Sequence, residues 1–420
     1  MKFPLLSVLS LALPLIGGTL HSADWPQWRG PMRTGFAPAG EPVPAVLPTE
    51  PKAVWRIPIG DGFASPIISG GRVFYLDNQD AQEVAHAVDA ATGKELWRSE
   101  NIFSSHKDGF GIGPRCTPVA DGGRVFVQSA KGEFRCLNAS DGKVIWRTNF
   151  VDDFGAIYIG EKGKASGASR HGAAGSPIID GENIIVQVGS VTGASIVAFK
   201  KATGEIVWKS GNDQTAYAAP IIATVAGVRQ FITFTADSLI GLDPKTGKQL
   251  WSVPTPTRLG RNVTTPNVSG DLVVVASHQL GLVATRLTPA NGDLIAANAW
   301  TNKSMMINFS SPVVVGGHLY GLGPSKNIFC ITLKTGEIVW EKTGLIQTSG
   351  DRAEATFLIM GKNILMLSDS GELILFAADP AAYHEISRVQ ACGATWCNPA
   401  YADGRLYLRD NRELICLQLL

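Results

Sequence analysis

Charge is scarce in this sequence. Asp, Glu, Lys and Arg make up 17% of the residues, and the formal net charge is +1. No long-range field therefore draws the chain onto nucleic acid, although net charge averages over local patches. Sustained 3.6-residue periodicity is missing, so helices are a minor component. Past the first 23 residues, no apolar run approaches the roughly 18–20 residues that a membrane-spanning helix needs. Cysteine is sparse, with six residues. There is no adjacent Cys-Cys pair and no Cys-x-x-Cys-His haem site. Cys392 and Cys397 either bridge in an oxidising compartment or stay as two thiols. His86, His106, His278, His318 and His384 lack metal-ligand spacing, and no Asp/Asn/Glu cluster has the spacing of a Ca²⁺ loop, so no metal site is expected.

The N-terminus has the marks of a processing signal. Lys2 is followed by the apolar run Leu5–Ile16, and His21-Ser22-Ala23 precedes Asp24 with no Cys for lipid attachment. Residues 1–23 therefore read as a cleaved secretory signal, and the mature protein as exported, periplasmic or secreted. Residues 24–51 read as an extended segment. Pro38–Pro51 holds five prolines in fourteen residues, which predicts an extended tether between Trp25–Pro31 and the rest.

What the chain has in abundance is a repeated phrase. Ala91-Thr92-Gly93-Lys94-Glu95-Leu96-Trp97 returns as Asp141-Gly142 to Trp146, Thr203-Gly204 to Trp208, Thr246-Gly247 to Trp251, and Thr335-Gly336 to Trp340. A stretched copy ends at Trp300. One supersecondary unit is being reused at a spacing of about 40–60 residues. In the first unit, Ser65–Ile68, Arg72–Leu76, Val84–Val88 and Lys94–Arg98 read as four short antiparallel strands, with Gly93 supplying the positive φ of a tight turn. That is the pattern of a propeller blade.

Blade starts can be counted separately through small-residue–Pro steps: Ser65-Pro66, Thr117-Pro118, Ser176-Pro177, Ala219-Pro220, Thr265-Pro266, Ser311-Pro312 and Asn398-Pro399. One more unit fits between Pro312 and Pro399, with its Gly-Trp turn replaced by Asp379-Pro380. The expected fold is all-β, an eight-bladed propeller over residues 52–420. The last blade has only three strands, so Val54-Trp55-Arg56-Ile57 should complete it and remove the open edges. Trp55, Trp97, Trp146, Trp208, Trp251, Trp300 and Trp340 are expected to dock each blade on the next, with the indole N–H seeking a carbonyl. Cys136 and Cys330 occupy the small buried position that Ala87, Ala198 and Gly241 fill in other units.

This phrase, in eight units closed by an N-terminal strand, resembles the pyrroloquinoline quinone (PQQ) enzyme-type repeat. That family includes quinoprotein alcohol dehydrogenases and the non-enzymatic periplasmic propellers of outer-membrane β-barrel assembly. The Trp25-Pro26-Gln27-Trp28-Arg29-Gly30-Pro31 opening looks like the lead-in of exported PQQ-binding-like repeat proteins. The resemblance implies the fold and leaves the function open. Quinoprotein dehydrogenases carry an adjacent Cys-Cys pair and hold Ca²⁺ through Glu, Asn and Asp, and neither pattern is present here.

The residues that would act are the unrepeated ones just before each blade-start Pro. These contribute Phe63, Arg115, Arg170, His171, Tyr217, Arg261, Asn262, Asn308, Phe309, Arg352, Glu354, Trp396 and Asn398. Four arginines at one height suit a carboxylate or phosphate ligand, or pair with nearby acids and carbonyls. Gly109-Phe110-Gly111-Ile112-Gly113 reads as a flexible inter-blade loop, because no helix follows to bind phosphate. Ser99–Arg115 and Asn149–Ala174 are long connections, the second a candidate flap. The leading expectation is a monomeric, non-catalytic scaffold for a protein partner or anionic small molecule. The alternatives are a PQQ-dependent oxidoreductase with Ca²⁺, and recognition of anionic saccharides.

Overall fold

Strand pairing closes the chain into a ring. The computed structural model describes residues 24–158, 171–257, 260–346 and 354–420. Eight antiparallel blades follow one another, and blades 1 to 7 each run in chain order from an innermost to an outermost strand. Blades 1 to 7 span residues 67–98, 119–149, 178–210, 221–254, 267–302, 313–342 and 355–390. Blade 8 takes three strands from residues 400–418 and its outermost from Lys52–Pro58, which pairs antiparallel with Glu413–Gln418 and sets Trp55 opposite Cys416. The expected closure strand is thus in place. The signal-like residues 1–23 lie outside the described residues. No described helix is long and apolar enough to cross a membrane.

The small-residue–Pro step fits its position. Each Pro falls just before an innermost strand, an edge position where a missing N–H costs no ladder bond. The core lies between blades rather than at the axis. Phe74, Leu76 and Ala85 of blade 1, for example, bury against Val125, Val127 and Leu137 of blade 2.

The repeated phrase is the joint between blades. The Trp97 indole donates to Ala139 O at 3.0 Å, Trp146 to Lys201 O at 3.0 Å, and Trp208 to Pro244 O at 3.1 Å. Trp55, Trp300 and Trp340 likewise reach Ala90 O, Leu333 O and Asp379 O. Asp379 keeps its acceptor role although its unit has lost the glycine. Trp251 departs from expectation, because its indole donates to Gln230 in its own blade. The next unit is a long hairpin, Gly281–Ala290 with Asp293–Asn302, and carries no Thr-Gly turn in reach. Cys136, Cys330, Ala87, Ala198 and Gly241 each stand directly opposite a Trp, as the small position requires.

Residues 24–51 are not a free tether. Trp25, 2% exposed, exchanges backbone bonds with Ile68 of blade 1, and Pro26 O accepts from Ala120 N of blade 2. Arg33 donates to Ser176 O and Pro177 O at blade 3, and to Pro220 O at blade 4. Trp28 donates to Thr265 at blade 5, and Arg29 to Pro312 O at blade 6. Gly35 and Ala37 pair with Ile359 of blade 7, and Glu41 and Pro42 accept from Asp403 and Tyr401 of blade 8. One short segment therefore touches all eight blades. The carbonyls near the axis are the physical reason, since they need donors that two buried guanidinium groups supply. Burial pushes Arg33 down to about 9 and Arg29 down to about 10. Both still carry charge at neutral pH.

Candidate functional site

The lead-in loops of the blades meet at one mouth of the ring. They enclose a cavity of about 180 Å³. Phe63, Arg115, His171, Tyr217, Arg261, Phe309, Glu354, Trp396 and Asn398 line it, and Trp28 of the N-terminal segment forms part of its wall. All eight lead-in loops thus supply at least one expected residue. Arg170 and Arg352, the other two expected arginines, lie outside the described residues, as do residues 159–170 of the candidate flap.

Two expected residues do not belong to the cavity wall. Asn262 is fully buried, and its side chain donates to Thr235 O at 2.7 Å. Its own carbonyl accepts from the N–H groups of Tyr217 and Ala218. It braces the loops from behind. Asn308 precedes Phe309, and only Phe309 reaches the cavity.

The wall is chiefly aromatic. Trp396 lies 5.8 Å from Phe63 and 6.3 Å from Phe309, between ring centroids. His171 is 5.8 Å from Tyr217. These are packing distances for aromatic pairs, and a continuous apolar face results. Each described arginine stacks on it: Arg115 lies 4.8 Å above Phe63, and Arg261 lies 5.7 Å above Phe309.

Polar groups at the mouth are linked to one another. The Asp108 carboxylate pairs with Arg115 at 2.9 Å, with His171 Nδ1 at 2.6 Å, and with the Phe110 N–H at 2.8 Å. Burial raises the Asp108 carboxyl, but the His171 bond, the Phe110 N–H and the Arg115 charge together hold it below its ordinary value. Burial, joined by the Arg115 and Arg261 charges, lowers His171 below its ordinary value against the lift from Asp108. His171 is therefore neutral at pH 7, with its Nδ1 proton directed at Asp108. The charge of Arg115 already has its counter-ion, which removes one support for an anion-binding funnel.

The connection from blade 1 to blade 2 was misread from sequence. Gly109–Gly113 belongs to a small hairpin in which Lys107–Asp108 pairs with Gly111–Ile112. Its tip carries Phe110 into the mouth, 5.3 Å from Trp396 and 5.0 Å from His171. An aromatic residue between two glycines, Gly109-Phe110-Gly111, was the available signal.

Cys392 and Cys397 are free and buried, so the bridge that their spacing allowed is not formed. Cys397 Sγ donates to Ala64 O at 3.8 Å. Burial pushes the Cys392 thiol up to about 12 and raises Cys397 as well, which makes both poor nucleophiles.

Ring, closure strand and one-sided mouth define the class: an eight-bladed β-propeller of PQQ-type repeats. The family described as outer membrane protein assembly factor BamB matches residues 80–342. That is more than half of the chain, and the chain belongs to this family. It is 24% identical over 276 residues to the BamB of Yersinia pestis, across 60% of this chain and 65% of that one. It is 22% identical over 394 residues to the BamB of Shewanella oneidensis, across 86% of each. The chain thus spans a little under two thirds of the Yersinia relative. In three dimensions, quinohemoprotein alcohol dehydrogenase from Comamonas testosteroni superposes with a TM-score of 0.62 at 14% identity, covering 94% of this chain and 80% of that one. That likeness is one of fold.

Proposed function

We propose that this protein is an exported, monomeric binding scaffold of the cell envelope that engages a protein partner at the mouth face. The observation that supports it is the wall gathered from all eight lead-in loops, with its aromatic rings grouped around Trp396. A rigid ring presenting an apolar, half-exposed tryptophan beside a neutralised Arg–Asp–His cluster suits recognition by packing. Membership in the BamB family supports the same reading. The test is cross-linked capture from an envelope fraction, with the wild type and Trp396→Ala in parallel. A partner captured by the wild type and lost by the variant supports the proposal. Equal capture by both overturns the assignment of the mouth.

The dehydrogenase-like fold favours a second reading, a PQQ-dependent oxidoreductase. It needs a Ca²⁺ donor set beside the quinone. Among the described residues, no three His, Cys, Asp or Glu side chains are grouped to hold a metal ion. The carboxylate at the mouth, Asp108, is already engaged by Arg115 and His171, which favours the scaffold reading over that centre. Titration with PQQ and Ca²⁺, followed by absorbance and dye-linked alcohol oxidation, decides between the readings. Stoichiometric binding with turnover would replace the scaffold. Recognition of anionic saccharides is checked in the same format with an acidic oligosaccharide.

A further inference from the structure

Phe110 occupies a place that a ligand would be expected to occupy. Its ring meets Trp396 at 5.3 Å and 67°, Phe309 at 6.3 Å and 75°, and His171 at 5.0 Å and 73°. These three partners come from the lead-in loops of blades 8, 6 and 3. Edge contacts to three rings are the favourable geometry for an aromatic guest in an aromatic slot. Yet Phe110 belongs to none of those blades. It arrives on the hairpin between blades 1 and 2.

Phe110 also borders a second cavity of about 360 Å³, lined by Asp61, Ile112, Ala394 and Asn411 among others. Phe63, Phe110, Thr395 and Trp396 line both cavities. Phe63 and Trp396 stand on the lead-in loops of the ring, whereas Phe110 stands on a hairpin of two paired residues per strand.

The hairpin is fixed at its base. Asp108 binds Arg115 and His171, and Gly113 N donates to His106 O at 3.0 Å. Its tip is held through ring contacts of the kind another aromatic side chain can make. A guest ring would restore the ring contacts that Phe110 gives up.

We propose that Phe110 is a resident stand-in. The slot between Trp396, Phe309 and His171 takes an aromatic side chain carried on a partner's peptide loop, and the Lys107–Ile112 hairpin moves aside to admit it. This rests on the reading of the mouth as the partner-binding face. The peptide chemistry is argued from Phe110 itself, a phenyl ring on a peptide turn already seated there.

The probe is a capped tripeptide, acetyl-Gly-Phe-Gly-amide, with acetyl-Gly-Leu-Gly-amide as control, titrated calorimetrically. Emptying the slot removes the internal competitor and raises apparent affinity by the inverse of the open fraction. Phe110→Ala should bind the Phe peptide at least ~10-fold more tightly than the wild type, with no such gain for the Leu peptide. Adding Trp396→Ala should abolish the gain. Asp108→Asn, which loosens the base and leaves Phe110 in place, should give a smaller gain and serves if Phe110→Ala does not fold. Equal affinity of the folded variants and the wild type for the Phe peptide, or an equal gain for Leu, overturns the proposal. If envelope capture depends on Trp396 but these variants gain nothing, the stand-in fails and the binding face stands. If the gain appears while capture ignores Trp396, the slot stands and the scaffold reading fails.

Discussion

The Trp97 indole lies against Gly142, so closely that a Cβ there would come within 2.5 Å of the ring. Gly142 also has φ 73°, a conformation that costs a residue with a side chain about 1–2 kcal/mol. Two separate demands, backbone sign and contact with the preceding blade, converge on one position. Gly93, Gly204, Gly247 and Gly336 stand in the same relation to Trp55, Trp146, Trp208 and Trp300.

The two demands can be measured apart. Gly123 has φ 79° and open space where a Cβ would go. Gly123→Ala should cost only the backbone strain, about 1–2 kcal/mol. Gly142→Ala should cost clearly more, because Trp97 must also shift. Denaturant unfolding of the two variants checks this, and equal losses would show that the indole contact carries no stability.

Trp97→Phe keeps an aromatic ring at the joint but leaves Ala139 O without its donor. A loss of about 0.5–1.5 kcal/mol is expected, the usual net value of one hydrogen bond, plus whatever the smaller ring fails to fill. Trp251→Phe should leave the joint to blade 5 intact and disturb Gln230 within blade 4. Hydrogen exchange by blade distinguishes the two, with faster exchange at the blade 1–2 joint in the first variant alone.

Arg33→Ala removes the donor for carbonyls of blades 3 and 4 at the axis. Each orphaned buried acceptor costs about 1–3 kcal/mol, so the variant should melt well below the wild type. Arg229→Ala is the control. Its half-exposed pair with Asp180 lies at the surface, and a change under about 1 kcal/mol is expected. A mild effect of Arg33→Ala would show that the segment lies on the ring without holding it.

Glu83 gives a pH dependence. It is fully buried, and burial pushes its carboxyl from an ordinary 4.5 up to about 8, against weaker opposition from the Ala130 N–H, Lys131 and Arg115. The folded state therefore keeps a proton that the unfolded state releases. Its favourable contribution is complete below pH 4.5 and is lost as pH rises to about 8. Glu83→Gln should remove this decline, at most about 1.4 kcal/mol per pH unit, and gain on the wild type with rising pH. Parallel stability curves for the two proteins from pH 5 to 8 would show that Glu83 is ionised in the fold.

The ring was legible because its determinants repeat. Gly–Trp spacing and the Pro steps give the blades, and a Trp without upstream strands gives the closure at Trp55. The inward ends of the blades were legible too, which is why Arg115, His171, Glu354 and Trp396 fall on one cavity. Phe110 was hidden because its meaning depends on rings hundreds of residues away, while locally it sits in a glycine-rich loop. The docking of residues 24–51 was hidden for a similar reason. Five prolines indicate an extended path but not the surface that the path follows. Asn262 was misassigned because a loop residue can face the axis or the loop behind it, and the sequence pattern there has no period to tell them apart.

The segment that crosses the axis also orders events in time. Glu41 and Asp403, 362 positions apart, are hydrogen-bonded, and the strand beginning at Lys52 waits for Glu413–Gln418. A chain made from its N-terminus thus delivers the final outer strand early and its seat last. Until blade 8 is made, Lys52–Pro58 has no strand to pair with, although Trp25, Arg33 and Arg29 can already meet blades 1, 3, 4 and 6. A strand made early is thus among the last to find its place.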